Sequence, residues 1–176
     1  MNSCLRTRVC KGFTLIELMI TISILGILLG VGLPSFFTFI NNNKITSEAN
    51  DLIYSFHMAR SEAIKRGAEV RIASMNGTSW ADGWKVVADL NGDTDYIDAG
   101  DIIMQWDPLD GGSALTVVAT NATSSVYVSF NARGGMIPNN ASFIFTLTPS
   151  DCDTVASRII SITPTGRANI DHGDCS

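Results

Sequence analysis

Histidine, cysteine and proline are scarce in this chain: two, four and five among 176 residues. His57 falls on a helical stretch, as a partly exposed helix residue, and His172 lies in the C-terminal tail. No serine or cysteine sits in a nucleophile motif, and the fifteen glycines build no phosphate-binding signature. No internal repeat or long low-complexity linker occurs. Cations are outnumbered, 12 Lys and Arg against 17 Asp and Glu, for a net charge of −5. Such a balance gives no global attraction to nucleic acid. Neither a catalytic residue nor a cofactor is expected.

Charge is most conspicuously missing from residues 13–40, where Glu17 is the only ionisable group in 28 residues. As a helix this run would be about 40 Å long, enough to cross a bilayer. A short leader precedes it, carrying Arg6, Arg8 and Lys11, and the excess of cations there places the N-terminus on the cytoplasmic side. A carboxylate within such a helix costs about 2.5–3.5 kcal/mol at full depth and less near the interface. Leucine would serve an isolated span better. Glu17 therefore points to a counter-charge supplied by another molecule.

The run Gly12-Phe13-Thr14-Leu15-Ile16-Glu17 resembles the class III signal and N-terminal helix of type IV pilins and type II secretion pseudopilins. The resemblance implies that a prepilin peptidase cuts after Gly12 and methylates the new N-terminus, Phe13. It also implies that Glu17 pairs with the N-terminal amine of a neighbouring subunit during assembly, since a carboxylate in hydrocarbon is neutralised most directly by an adjacent ammonium. Residues 1–12 would be the leader, 13–40 the transmembrane or filament-core helix, and 41–176 a periplasmic or extracellular domain. Two other readings share the basic leader: an ordinary signal peptide ending near Gly30-Val31-Gly32, and a plain membrane anchor. An acid early in the apolar run argues against the first.

Three cations leave with the leader, so the processed chain would carry a net charge of −8. Cys4 and Cys10 lie in the leader, whereas Cys152 and Cys175 lie in the exported part, where an even pair is expected to form a disulfide. Closing that loop would contribute about 3 kcal/mol in the chain-entropy picture and pin the C-terminal strand.

Beyond the apolar run, Ile45, Ala49, Leu52, Phe56, Ala59 and Ala63 recur at spacings of four and three, one stripe of an amphipathic helix. Lys44, Glu48, Asp51, Ser55 and Glu62 are placed on the other face, with Glu62 and Arg66 as a possible i,i+4 pair and Gly67 as the stop. Together the two halves would form a helix of roughly 80 Å. A kink or local melting is expected at Pro34, and slight fraying at 41–43. After Gly67 the period becomes two. Strands are predicted at 70–75, 83–89, 102–106, 115–119, 126–130, 142–147 and 158–163, with a short last one at 168–170. The class is α+β: a pilin-like fold with one long, kinked helix packed on antiparallel sheet and a disulfide-pinned C-terminus.

The segment from Asp89 to Asp101 is the one place where a metal site can be drawn. Asp89, Asn91, Asp93 and Asp95 alternate and could direct oxygens at one calcium ion. It departs from an EF-hand, with Thr94 at the turn-glycine position, Gly100 at the closing-glutamate position, and no flanking helices. We read it as a solvated acidic hairpin. It also resembles an inter-strand stretch of the GspH/FimT branch. The run from Ile160 to Asn169 resembles the closing strand pair of that branch, and with Met58-Ala59-Arg60-Ser61-Glu62-Ala63-Ile64 and Asp82-Gly83-Trp84 it extends the resemblance over most of the chain. In FimT proteins tied to DNA uptake a Gly-Arg-x-Arg motif contacts DNA. Gly166 and Arg167 match it, but Asn169 replaces the second arginine, which weakens that role. Arg133, Arg158 and Arg167 are the candidates for a local basic patch.

The function implied is a minor pilin, assembling into or priming a type IV pilus. Its partners would be other pilins, the prepilin peptidase and the inner membrane. A type II secretion pseudopilin and a DNA-binding minor pilin are the alternatives.

Overall fold

The structure is a computed structural model that describes residues 12–93, 95–96, 98–110, 112–153 and 155–174, with backbone alone at 31–34. The leader residues Arg6, Arg8 and Lys11, and Cys4, Cys10 and Cys175, lie outside the described residues, as does Thr94. Helix α1 spans Leu15–Arg66, and nine strands follow among the described residues: β1 Val70–Ser74, β2 Trp84–Ala88, β3 Ile102–Trp106, β4 Ala114–Thr120, β5 Tyr127–Phe130, β6 Met136–Ile137, β7 Ser142–Thr148, β8 Ser157–Ile162 and β9 Ala168–Gly173. By internal contacts the chain divides into a unit ending at Phe39 and a second unit, Ile40–Ser176.

In the first unit the helix begins at a threonine cap. Thr14 Oγ1 accepts a hydrogen bond from Glu17 N at 3.3 Å, and Thr14 O accepts one from Leu18 N at 3.1 Å. Thr14 and Glu17 thus have the Thr-x-x-Glu spacing of a capping box, a signal the sequence reading passed over. Helical backbone continues through Pro34 and through 41–43, so neither local melting nor fraying is present.

In the second unit the predicted stripe is the inward face of the helix: Ile45, Ala49, Leu52, Phe56, Ala59 and Ala63 are all buried. Phe56 on this face reaches across to Phe145 at a ring separation of 5.1 Å. Ser55 is also buried, against the expectation that it faces outward. Its hydroxyl donates to Leu52 O at 2.6 Å, which satisfies the polar group inside the helix and removes the cost of burying it.

The strands form two antiparallel sheets, ordered β3-β2-β1-β5-β6 and β4-β7-β8-β9. Alternation along them supplies the core: Val70 and Ile72, Trp84 and Val86, Val128 and Phe130, Phe143, Phe145 and Leu147, Ile160 and Ile162. A short 3₁₀ turn, Trp80–Asp82, connects β1 to β2 within the first sheet and packs against the second. Trp80 packs edge-on against Phe145 at 4.9 Å, and its Nε1 donates to Ser125 O at 2.8 Å. Strand β6 was absent from the sequence reading because two residues carry no periodicity. Met136 is held there by pairing opposite Phe130 and by donating its N–H to Pro164 O at 3.0 Å.

Candidate functional site

The apolar half of α1 presents its side chains outward. Every described large apolar residue from Phe13 to Leu29 is exposed, from 84% at Phe13 to 47% at Leu29. By length and composition this helix can cross a membrane. Its hydroxyl groups are already satisfied: Thr21 Oγ1 donates to Leu18 O at 2.8 Å and Ser23 Oγ to Met19 O at 2.7 Å. Such internal bonds allow these residues to sit in hydrocarbon or in a bundle of apolar helices. The exposed Glu17 carboxylate has no side-chain partner among the described residues. Its position in the first turn puts the charge against the positive end of the helix dipole, which offsets part of its cost.

Three arginines were expected to gather. Arg133 and Arg167 are exposed, on turns brought together by the Met136–Pro164 hydrogen bond. Gly166 sits at a φ of 74°, and a Cβ there would run into Gly134 O, so that contact requires glycine. Arg158 does not join them. It is 5% exposed, and its guanidinium donates to Ala156 O at 2.8 Å, Asn42 Oδ1 at 2.9 Å, Thr46 Oγ1 at 3.2 Å and Ser157 O at 3.3 Å. Those four acceptors turn Arg158 into a clamp between β8 and α1. A guanidinium so used is not available to a phosphate, and the three-arginine patch is not formed.

The acidic segment is also rearranged. Asp93, Asp95 and Asp101 each bring a carboxylate oxygen within 4.8 Å of the others. Asp89 and Asn91, named from the alternation, instead brace the turn. Asp89 Oδ1 accepts from Gly92 N at 2.6 Å, and Asn91 Nδ2 donates to Asp93 at 2.7 Å and to Asp98 at 3.1 Å. Asp101 was missed because Gly100 occupies the position where a closing acid was sought. The fold compensates by a 3₁₀ turn, Ala99–Asp101, that buries the next residue. The Asp98 carboxyl is raised above its ordinary value, first by the charge of Asp95, then by partial desolvation and by the charges of Asp93 and Asp101.

A cleft of about 340 Å³ lies between α1 and the β3–β4 connection, with Glu48, Asp51, Trp84, Trp106 and Asp110 among its lining residues. Burial raises the Glu48 carboxyl above its ordinary 4.5, and the nearby Asp110 charge adds to this. Ser113, Lys44 (3.8 Å away) and the Asp110 backbone act in the opposite direction. A carboxyl raised in the folded state contributes stability below its unfolded value, and that contribution is lost as pH rises through the folded value. Glu48→Gln should therefore raise the urea midpoint at pH 7 and leave it nearly unchanged at pH 4. A midpoint equally altered at both pH values would contradict the ionisation argument.

Two family models match the chain. That of the type II transport protein GspH covers residues 48–166, and that of the prokaryotic N-terminal methylation motif covers residues 7–33. Among solved structures, the chain is similar to the type IV minor pilin FimU of Pseudomonas aeruginosa, with a TM-score of 0.58 and 22% identity over 76% of this chain and 92% of that one. It is also similar to EpsH, a minor pseudopilin from the type 2 secretion system of Vibrio cholerae, with a TM-score of 0.56 and 12% identity over 73% of this chain and 97% of that one.

Proposed function

The chain belongs to the GspH family, and on that premise we propose that it is a minor pilin that assembles into, or primes, a type IV pilus. The leader directs the precursor to the bacterial inner membrane with its N-terminus in the cytoplasm and its β-domain outside. Prepilin peptidase cuts between Gly12 and Phe13 and methylates Phe13. Glu17 then takes the N-terminal amine of a neighbouring subunit as its counter-ion while the apolar helices bundle. The role is structural, with no chemistry performed by the chain itself.

One observation carries this reading: an outward-facing apolar helix whose single carboxylate has no side-chain partner among the described residues, on the same chain as a densely packed domain. Apolar side chains left this exposed require lipid or sister helices around them. The family model's description as a type II transport protein favours a second reading, the pseudopilin of a secretion system.

We also propose the Cys152–Cys175 bridge. Its setting is favourable, since Ser157 pairs with Gly173 in the β8–β9 ladder and Ser157 Oγ donates to Asp174 O at 3.3 Å. That pairing brings the chain just before Cys175 alongside the start of β8, soon after Cys152.

Intact mass of the protein isolated from cells tests the processing steps together. The expected species starts at Phe13, carries one added methyl group, and takes up alkylating agent at two thiols only after reduction. A chain starting near Leu33, or at Met1, would overturn the assignment. Deletion of the gene should lower the number of surface filaments and leave protein secretion unchanged; the opposite pattern would select the secretion machine.

A further inference from the structure

We propose that the β2–β3 connection binds a calcium ion through the carboxylates of Asp93, Asp95 and Asp101. Asp101 carries the argument. It is 1% exposed, and only one of its oxygens is used: Oδ1 accepts the N–H of Leu90 at 3.0 Å. Oδ2 is buried without a hydrogen-bond partner. A buried, unsatisfied carboxylate oxygen is costly, and a bound cation is the most direct way to satisfy it.

The geometry suits that cation. Two oxygens on opposite sides of a calcium ion, each at about 2.4 Å, are separated by about 4.8 Å. Oxygens from all three aspartates fall within that span of one another. No ion pair joins Asp93 or Asp101 to a Lys or Arg among the described residues. Three carboxylates held this close repel one another unless a cation lies between them. All the donors are hard oxygens, which selects calcium, magnesium or manganese over softer metals. Calcium accepts an irregular set from one loop completed by water, whereas magnesium demands near-octahedral geometry and gives up its waters reluctantly.

The supporting contacts hold the ligands in place. Asn91 Nδ2 bonds Asp93 Oδ2, and Asp93 Oδ1 accepts from Asp95 N at 3.0 Å, leaving calcium to draw on the lone pairs these bonds do not use. Asp101 closes the loop onto Leu90, two residues after β2. Between the ligands, Tyr96 lies over the Arg71 guanidinium at 3.7 Å on the outer face of the first sheet. A filled site would fix the connection across that sheet, and the acidic hairpin would be a metal-ordered element of the domain surface.

The test uses the full chain in detergent, with melting followed by the fluorescence of Trp80, Trp84 and Trp106. An exposed loop with three carboxylates fits the affinity range of extracellular calcium modules, about 10⁻⁴–10⁻³ M. About 5 mM calcium should then raise the melting midpoint by roughly 3–8 °C over excess chelator. Asp101→Asn keeps an oxygen for Leu90 N and should abolish the rise. Asp95→Asn, at an exposed position, should also abolish it while melting no lower than wild type in chelator. It decides the matter should the Asp101 variant fail to fold. An unchanged wild-type midpoint overturns the proposal, as does an equal rise with magnesium or a full rise in Asp95→Asn.

Discussion

Glu17→Leu should reach the membrane and be cut after Gly12 like wild type, yet its incorporation into filaments should fall by at least about tenfold. In an isolated span the substitution is favourable, because it removes a carboxylate costing about 2.5–3.5 kcal/mol at full depth and less near the interface. Under the proposed docking it also removes the counter-ion of a neighbour's amine in the assembled bundle. Breaking a buried pair from one side costs about 3–5 kcal/mol, because the remaining charge is left uncompensated. A loss of only 1.4 kcal/mol already changes an equilibrium tenfold. Glu17→Asp should recover part of the incorporation, since it keeps the charge on a shorter arm. Quantitative immunoblotting of sheared filaments against whole-cell protein checks both variants. Equal filament fractions for wild type and Glu17→Leu would remove the docking role while leaving the fold assignment intact.

Phe145→Ala should destabilise the globular domain by about 3–5 kcal/mol, the range for removing a buried aromatic side chain. Phe145 is fully buried on β7 and touches three other rings: Phe56 of α1 at 5.1 Å, Trp80 of the 3₁₀ turn at 4.9 Å and Phe143 at 6.2 Å. It therefore joins the helix, the second sheet and the turn that connects β1 to β2 of the first. The cavity left by alanine cannot close from one side alone, because its walls belong to three separate elements. With typical stabilities of about 5–15 kcal/mol, a loss of this size brings the domain near unfolding at growth temperature. Urea denaturation followed by tryptophan fluorescence should show a lower midpoint with an unchanged slope. A shift below about 1 kcal/mol would mean that the ring cluster is not a keystone of the core.

The amphipathic stripe from Ile45 to Ala63 was legible because a helix repeats every 3.6 residues and its buried face leaves that period in the sequence. Most strands were legible for the corresponding reason at period two. Ser55 was misplaced because hydrophobicity cannot reveal that a hydroxyl will be satisfied by its own helix. Arg158 was misplaced because its acceptors Asn42 and Thr46 lie more than a hundred residues away, on α1. Asp101 escaped notice because spacing rules assume a particular loop geometry, whereas its burial follows from how the turn closes onto Leu90.

The sequence by itself determined the membrane-length apolar run, its isolated acid, the processing motif and the change from helix to strands. Each is a local or periodic property, written in neighbouring residues and read without knowing what packs against what. Only the tertiary structure decided the division into two sheets, the conversion of Arg158 from expected patch to interior clamp, and the convergence of Asp93, Asp95 and Asp101. Those depend on which distant segments meet, and burial and hydrogen bonding are set at such meetings.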